Sequence, residues 1–157
     1  MTGPADDLAD QSRSGRPWRP FATTVLVTDA SVLVVALADD GPDGDLARAR
    51  LRGEHLAWPE LADLEVASVL RRQLRAGGID ARRASLALDD LAALPARRAR
   101  HRPLLARCWE LRDNLTPYDA AYVALAEALD AVLLTGDQRL SRASGPRCPI
   151  EVFQSAP

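Results

Sequence analysis

Among the 22 acidic residues of the chain, four stand where chemistry could be done: Asp29, Glu65, Asp119 and Asp137. Asp29 directly follows the apolar run Val25-Leu26-Val27-Thr28, and Asp137 follows Ala131-Val132-Leu133-Leu134-Thr135 and one glycine. Continuous apolar runs of this length read as fully buried parallel strands. Ligand sites of open α/β sheets lie beyond the carboxyl ends of such strands. If the two strands are neighbours, both carboxylates leave the sheet at one edge. Glu65 has Leu61 at i−4, Ala62 at i−3 and Val69 at i+4, so it lies on an apolar helix face. An unpaired carboxylate there is costly, and pairing or metal coordination relieves the cost. Asp119 comes third after Thr116, and the residues after it, Ala120 to Leu125, are apolar nearly all round. That helix must pack deeply and point its first turn at the sheet edge.

Four carboxylates meeting at one point repel each other, and a divalent cation removes the repulsion. Oxygen ligands suit Mg²⁺ or Mn²⁺. Such a site polarises a phosphoryl oxygen and generates a hydroxide near neutral pH. All 20 basic residues are arginine, which excludes a lysine Schiff base and a phosphate-binding Walker lysine. The two histidines, His55 and His101, fit no zinc pattern, and Cys108 and Cys148 are not a disulfide framework. The residue types therefore favour metal-assisted phosphodiester hydrolysis over acyl transfer. Each acid also has a quieter reading. Asp29 and Asp137 could cap helices, Asp119 could complete a capping box with Thr116, and Glu65 could pair with an arginine of its own helix.

The elements that must position these acids alternate between strand and helix. Strands are expected at 25–28, 55–58, 96–102, 131–135 and 149–153, the third an arginine-rich edge strand. Helices are expected at 31–38, 45–52, 60–76, 80–94, 104–112, 116–129 and, briefly, after Asp137. Asp80 and Thr116 serve as N-caps, Pro117 sits in the first turn, and Gly77-Gly78 is a stop. The pattern gives an α/β fold with a mainly parallel sheet of about five strands flanked by helices. At 157 residues it makes one domain, 23–157, after a Pro-, Gly- and Asp-rich flexible extension, 1–22. The net charge of −2 and pI near 5.7 give no global sign of nucleic-acid binding. Charge is uneven, however. Arg71, Arg72, Arg75, Arg82 and Arg83 gather at one helix–helix junction, and phosphate contact and solvated helix faces are both open readings there. Arg97, Arg98, Arg100 and Arg102 read as charge guarding an edge strand. No signal peptide or membrane span is expected, and the default compartment is the cytoplasm.

Four stretches carry a family resemblance. They are Val27-Thr28-Asp29-Ala30-Ser31-Val32-Leu33, Glu65-Val66-Ala67-Ser68-Val69-Leu70-Arg71-Arg72, Leu115-Thr116-Pro117-Tyr118-Asp119-Ala120-Ala121-Tyr122-Val123-Ala124-Leu125-Ala126-Glu127 and Leu133-Leu134-Thr135-Gly136-Asp137. In order and spacing they resemble the PIN-domain ribonucleases, and more closely the VapC toxins of bacterial toxin–antitoxin pairs. The resemblance implies Mg²⁺-dependent endonucleolytic cleavage of RNA, with Mn²⁺ as a possible substitute. It implies Asp29 and Asp119 as principal metal ligands, with Glu65 and Asp137 completing the catalytic set. Ser31, Asn114 and Thr135 match polar positions that support the acids. A cognate antitoxin covering the site and a homodimer are also implied; the apolar residues of the first helices could offer the antitoxin a groove, or could simply be core. Residues 1–22 depart from the pattern, whose chains begin just before the first strand. Two rivals stand beside this reading. A phosphatase of the haloacid-dehalogenase type, or a receiver domain, needs a lysine that is absent, and the former also wants an acid where Ser31 stands. A PIN domain serving only as an RNA-binding or scaffold module would have no need of all four acids.

Overall fold

The computed structural model describes residues 25–156, so the expected extension at 1–22 lies outside the described residues. Five strands form one sheet: β1 (Val25–Thr28), β2 (His55–Pro59), β3 (Ala96–Ala99), β4 (Val132–Thr135) and β5 (Ile150–Val152). Their order is β3-β2-β1-β4-β5, and every pairing is parallel. Seven α-helices connect them among the described residues: α1 (Ala30–Ala38), α2 (Pro42–Leu51), α3 (Leu61–Arg75), α4 (Ala81–Ala93), α5 (Leu105–Glu110), α6 (Pro117–Ala128) and α7 (Gln138–Arg142). From β1 the chain builds outward through β2 and β3, then crosses back to add β4 and β5 on the other side. The order reverses between β1 and β4, which is where α/β sheets open a crevice for ligands.

The inner strands β1, β2 and β4 are apolar because both faces of the sheet are covered there. Leu26, Val27, Ala57, Trp58, Leu133 and Leu134 are buried, and α6, which lies against β1, β2 and β4, is buried continuously from Ala120 to Ala126. Val32, Leu33, Val34 and Leu37 of α1 are core residues, so packing accounts for most of the apolar character of that helix. No helix among the described residues is long and apolar enough to cross a membrane.

Two expected boundaries move by three residues, the others by two at most. The edge strand ends at Ala99 rather than residue 102, because a 3-10 turn takes over at Arg102–Leu104. Helix α2 begins at Pro42 rather than 45: proline takes the first helical position, where its missing N–H costs nothing. Gly44 falls inside that helix because α1 ends against it; a Cβ there would stand 1.8 Å from the carbonyl oxygen of Asp39. Arg98 of the edge strand is tied down. It pairs with Asp63 at 2.7 Å, donates to the Leu91 carbonyl and stacks 5.0 Å from the ring centroid of the buried Trp58.

Candidate active site

The site is built from helix N-termini collected at one edge of the sheet. Asp29 follows β1 and caps α1, while Asp137 follows β4 and caps α7. Asp119 lies in the first turn of α6, capped by Thr116, and Glu65 lies near the start of α3. Helix N-termini present unsatisfied N–H groups and a positive dipole end, so carboxylates are held there at low cost. Capping and site-building are therefore one arrangement here, not alternatives.

The β1–β4 pairing sets the register. Thr28 lies opposite Leu134, and the Asp29 N–H donates to the Leu134 carbonyl at 3.0 Å. That places Asp29 level with Thr135. The Thr135 hydroxyl donates to Asp29 Oδ2 and accepts from the Asp137 N–H at 3.0 Å. On the other side, the Ser31 hydroxyl donates to Asp29 Oδ1 and accepts from the Gly136 N–H at 2.9 Å. Oδ1 also accepts from the Ser31 and Val32 N–H groups, at 2.9 and 3.3 Å. Gly136 must lack a side chain, since a Cβ would stand 2.8 Å from Ser31 Oγ. Both oxygens of Asp29 are thus fixed by two hydroxyls that also stitch the two strand ends together.

Glu65 is half-buried and has no arginine partner among the described residues. Its carboxylate accepts from the hydroxyl of Tyr122, one turn beyond Asp119 on α6. Burial raises the proton affinity of Glu65 above the ordinary value of 4.5; the Tyr122 hydrogen bond works against this, and the charges of Asp29 and Asp119 add to it. Those charge effects show that Asp29, Glu65 and Asp119 share one neighbourhood. Asp29 is likewise raised above 3.8 by burial, against the pull of its hydrogen bonds. Asp119 is held by Thr116, whose hydroxyl donates to its carboxylate at 2.8 Å and accepts from its N–H at 3.2 Å.

Asp137 stands apart. Arg139 grips both its oxygens, with the shortest contact 2.8 Å, and this guanidinium holds Asp137 below its usual range. The structure thus brings three of the four acids together and leaves the fourth at the rim, linked to Asp29 through Thr135. Among the described residues no three acidic, histidine or cysteine side chains already converge as a metal-holding group. Asp119 is turned onto Thr116, and Asp137 onto Arg139. The donor chemistry nevertheless fits a hard cation: three carboxylates, Glu65 under the charge of the other two, with no ion pair to any of them among the described residues.

Two residues at the site escape sequence reasoning, Tyr122 and Arg139. Tyr122 carried a signal, being the one polar tip on an otherwise apolar stretch and three residues from Asp119. Of the supporting positions, Ser31 and Thr135 do hold Asp29, but Asn114 does not. It is exposed in the loop before α6 and makes no side-chain hydrogen bond to the four acids.

Comparison with known proteins agrees with this architecture. The PIN domain pattern matches residues 26–146. The chain belongs to the PIN-domain family. Within that family it is 44% identical over 129 residues to Ribonuclease VapC1 of Mycobacterium tuberculosis, covering 82% of this chain and 97% of the relative. Among solved PIN-fold structures, PAE2754 from Pyrobaculum aerophilum superposes with a TM-score of 0.61 at 26% identity, covering 83% and 85% of the two chains. VapBC2 from Rickettsia felis, bound to a promoter DNA fragment, gives 0.62 at 13% identity over 83% and 100%, a likeness of fold alone.

Proposed function

We propose that this PIN domain is a Mg²⁺-dependent endoribonuclease, acting in the cytoplasm as the toxin of a toxin–antitoxin pair. The observation that carries the chemistry is the group of Asp29, Glu65 and Asp119 at the switch point of the sheet, none of them ion-paired among the described residues, with the nearby Arg139 spent on Asp137. The 44% identity to a VapC ribonuclease supports RNA as the substrate and a cognate antitoxin as the partner. A homodimer belongs to the same reading.

Asp29 and Asp119 would hold the ion, with Glu65 beside them. Once bound, Mg²⁺ polarises a phosphoryl oxygen and makes water a better nucleophile. Asp29 cannot swing away, because its two oxygens are fixed by Ser31, Thr135 and backbone N–H groups. Tyr122 orients Glu65, whose raised proton affinity suits it to take a proton from the attacking water. Asp137, held by Arg139, positions Thr135 through its N–H and completes the set from the rim.

The test is cleavage of total cellular RNA by the full chain with Mg²⁺, with Mn²⁺ and with EDTA, beside Asp29→Ala and Asp119→Ala. The expected result is metal-dependent cleavage lost in both variants. Cleavage that survives in both would end the nuclease reading and leave an RNA-binding or scaffold role.

A further inference from the structure

The helix that carries Glu65 continues outward with a face of its own. Ala62, Val66 and Leu70 are buried against the core. Leu64, Ser68, Arg71, Arg72 and Arg75 follow at steps of three and four residues on the outer side, and all are exposed. Ser68, Arg71, Arg72, Arg75 and Ala76 form one open strip along α3 and its C-cap.

Most arginines elsewhere with restricted exposure are committed: Arg48 to Asp45, Arg50 to Glu151, Arg83 to Asp40, Arg98 to Asp63 and Arg107 to Glu127. Arg71, Arg72 and Arg75 have no acidic partner among the described residues. Arg83, which the sequence groups with them, is taken by Asp40 and drops out of the patch. A favourable charge at the helix C-terminus accounts for a part of Arg72 and Arg75. It does not account for three cations kept together, against their own repulsion, on one helix face.

We infer that this face of α3 is a phosphate track, binding the backbone of single-stranded RNA and leading it to the acids at the helix's start. With a rise of about 1.5 Å per residue, Arg72 and Arg75 lie about 10 and 15 Å along the axis from Glu65. Glu65 and the track share one rigid helix, so a strand gripped by the arginines has its next phosphodiesters delivered to the site at a fixed distance. The ligand is chosen by charge: three guanidiniums recognise a polyanion without reading its bases. This inference rests on RNA being the substrate.

The experiment measures binding of a fluorescent oligouridylate of about ten nucleotides by anisotropy across a salt series, in EDTA so that binding is read without turnover. The full chain is compared with Arg71→Gln/Arg72→Gln/Arg75→Gln, the matching triple lysine variant, and Arg52→Gln/Arg97→Gln at the opposite edge of the sheet. Glutamine keeps the helix propensity, and thermal melting checks the fold. Each single-strand phosphate contact contributes about 0.7 to the slope of log K against log salt, so the triple glutamine variant should lose about 2 from that slope. The lysine variant should keep it, and the opposite-edge variant should lose nothing. Asp29-dependent cleavage is assayed on the same preparations. An unchanged slope in the triple glutamine variant, beside intact cleavage, overturns the track and leaves the nuclease reading standing. A reduced slope without Asp29-dependent cleavage supports the track and ends the nuclease reading. No RNA binding by the wild type overturns the track, and so does an unchanged slope accompanied by lost self-association in sedimentation, which would make this face a protein contact.

Discussion

Glu65 and Glu127 are both partly buried glutamates on helices, and the fold treats them in opposite ways. Glu127 lies near the C-terminal end of α6, where Arg107 spans both its oxygens at 2.7 and 3.1 Å and the Arg147 N–H donates at 2.8 Å. Burial works against its charge, but these partners outweigh burial and leave its pKa lowered. Glu65 faces the other end of the same helix and receives a phenol and two neighbouring carboxylates instead, so its pKa is raised. One acid is buried with its counter-ion; the other, among the described residues, is buried with its charge unanswered. The first arrangement holds a structure together. The second stores a cost that only a cation or a proton removes, which marks a working site.

The contrast is sharpest in a variant that removes each charge. Glu65→Gln should lower Mg²⁺-dependent RNA cleavage by about 10²–10⁴-fold, the effect of losing a positioned base. In thermal melts without metal the same variant should be as stable as the wild type or more so, because like-charge repulsion is gone. A large loss of stability would break the comparison.

Arg107→Ala should do the reverse. It leaves a buried carboxylate unpaired and should cost about 1–3 kcal/mol of stability by denaturant titration, with the rate per folded molecule unchanged. Tyr122→Phe removes the hydroxyl that holds Glu65 and should slow cleavage by about 10-fold, as loss of an orienting partner does, with little change in KM. Asp29→Asn should abolish metal binding, followed by calorimetry with Mn²⁺.

The smallest effect is a pair of opposite pH slopes. Asp29 and Glu65 have folded pKa values raised above 3.8 and 4.5. As pH rises past those values, the unfolded chain gives up its protons first, so metal-free stability falls until the folded pKa values are passed. Glu127 is lowered below 4.5, so its contribution is present above that value and is lost as pH falls through the folded pKa. Melting the metal-free chain between pH 4 and 7, with Glu65→Gln and Glu127→Gln alongside, should show the falling slope shrink in the first variant only, the remainder belonging to Asp29. Added Mg²⁺ should stabilise more as pH rises, because protons compete for the same oxygens.

These contrasts were only partly legible in the chain. Asp29 and Asp137 could be placed because buried strands announce themselves as apolar runs and their ends are a short step away. The caps at Asp80 and Thr116 are local chemistry and stood in the sequence plainly. Glu65 was visible as an acid on an apolar face, but its phenolic partner was not, since 57 positions separate it from Tyr122. The grip of Arg139 on Asp137 is local, yet nothing in sequence tells a gripping arginine from a free one. Arg98 read as edge-strand charge and proved to be a clamp on Asp63 and Trp58, a contact fixed by how β2 and β3 align.

The strand order has one more consequence, for the timing of folding. Thr135 and Asp29 are 106 residues apart, and β4 docks beside β1 only after every intervening element has been made. A growing chain that has emerged as far as α5 already carries Asp29 and Glu65. It still lacks Asp119, Tyr122 and Thr135, and the edge of β1 on which they will close is open. Contacts this distant in sequence form late and slowly. The group of acids therefore comes together in one of the last steps of synthesis and folding, and on the proposed function a truncated or unfinished chain has no complete site.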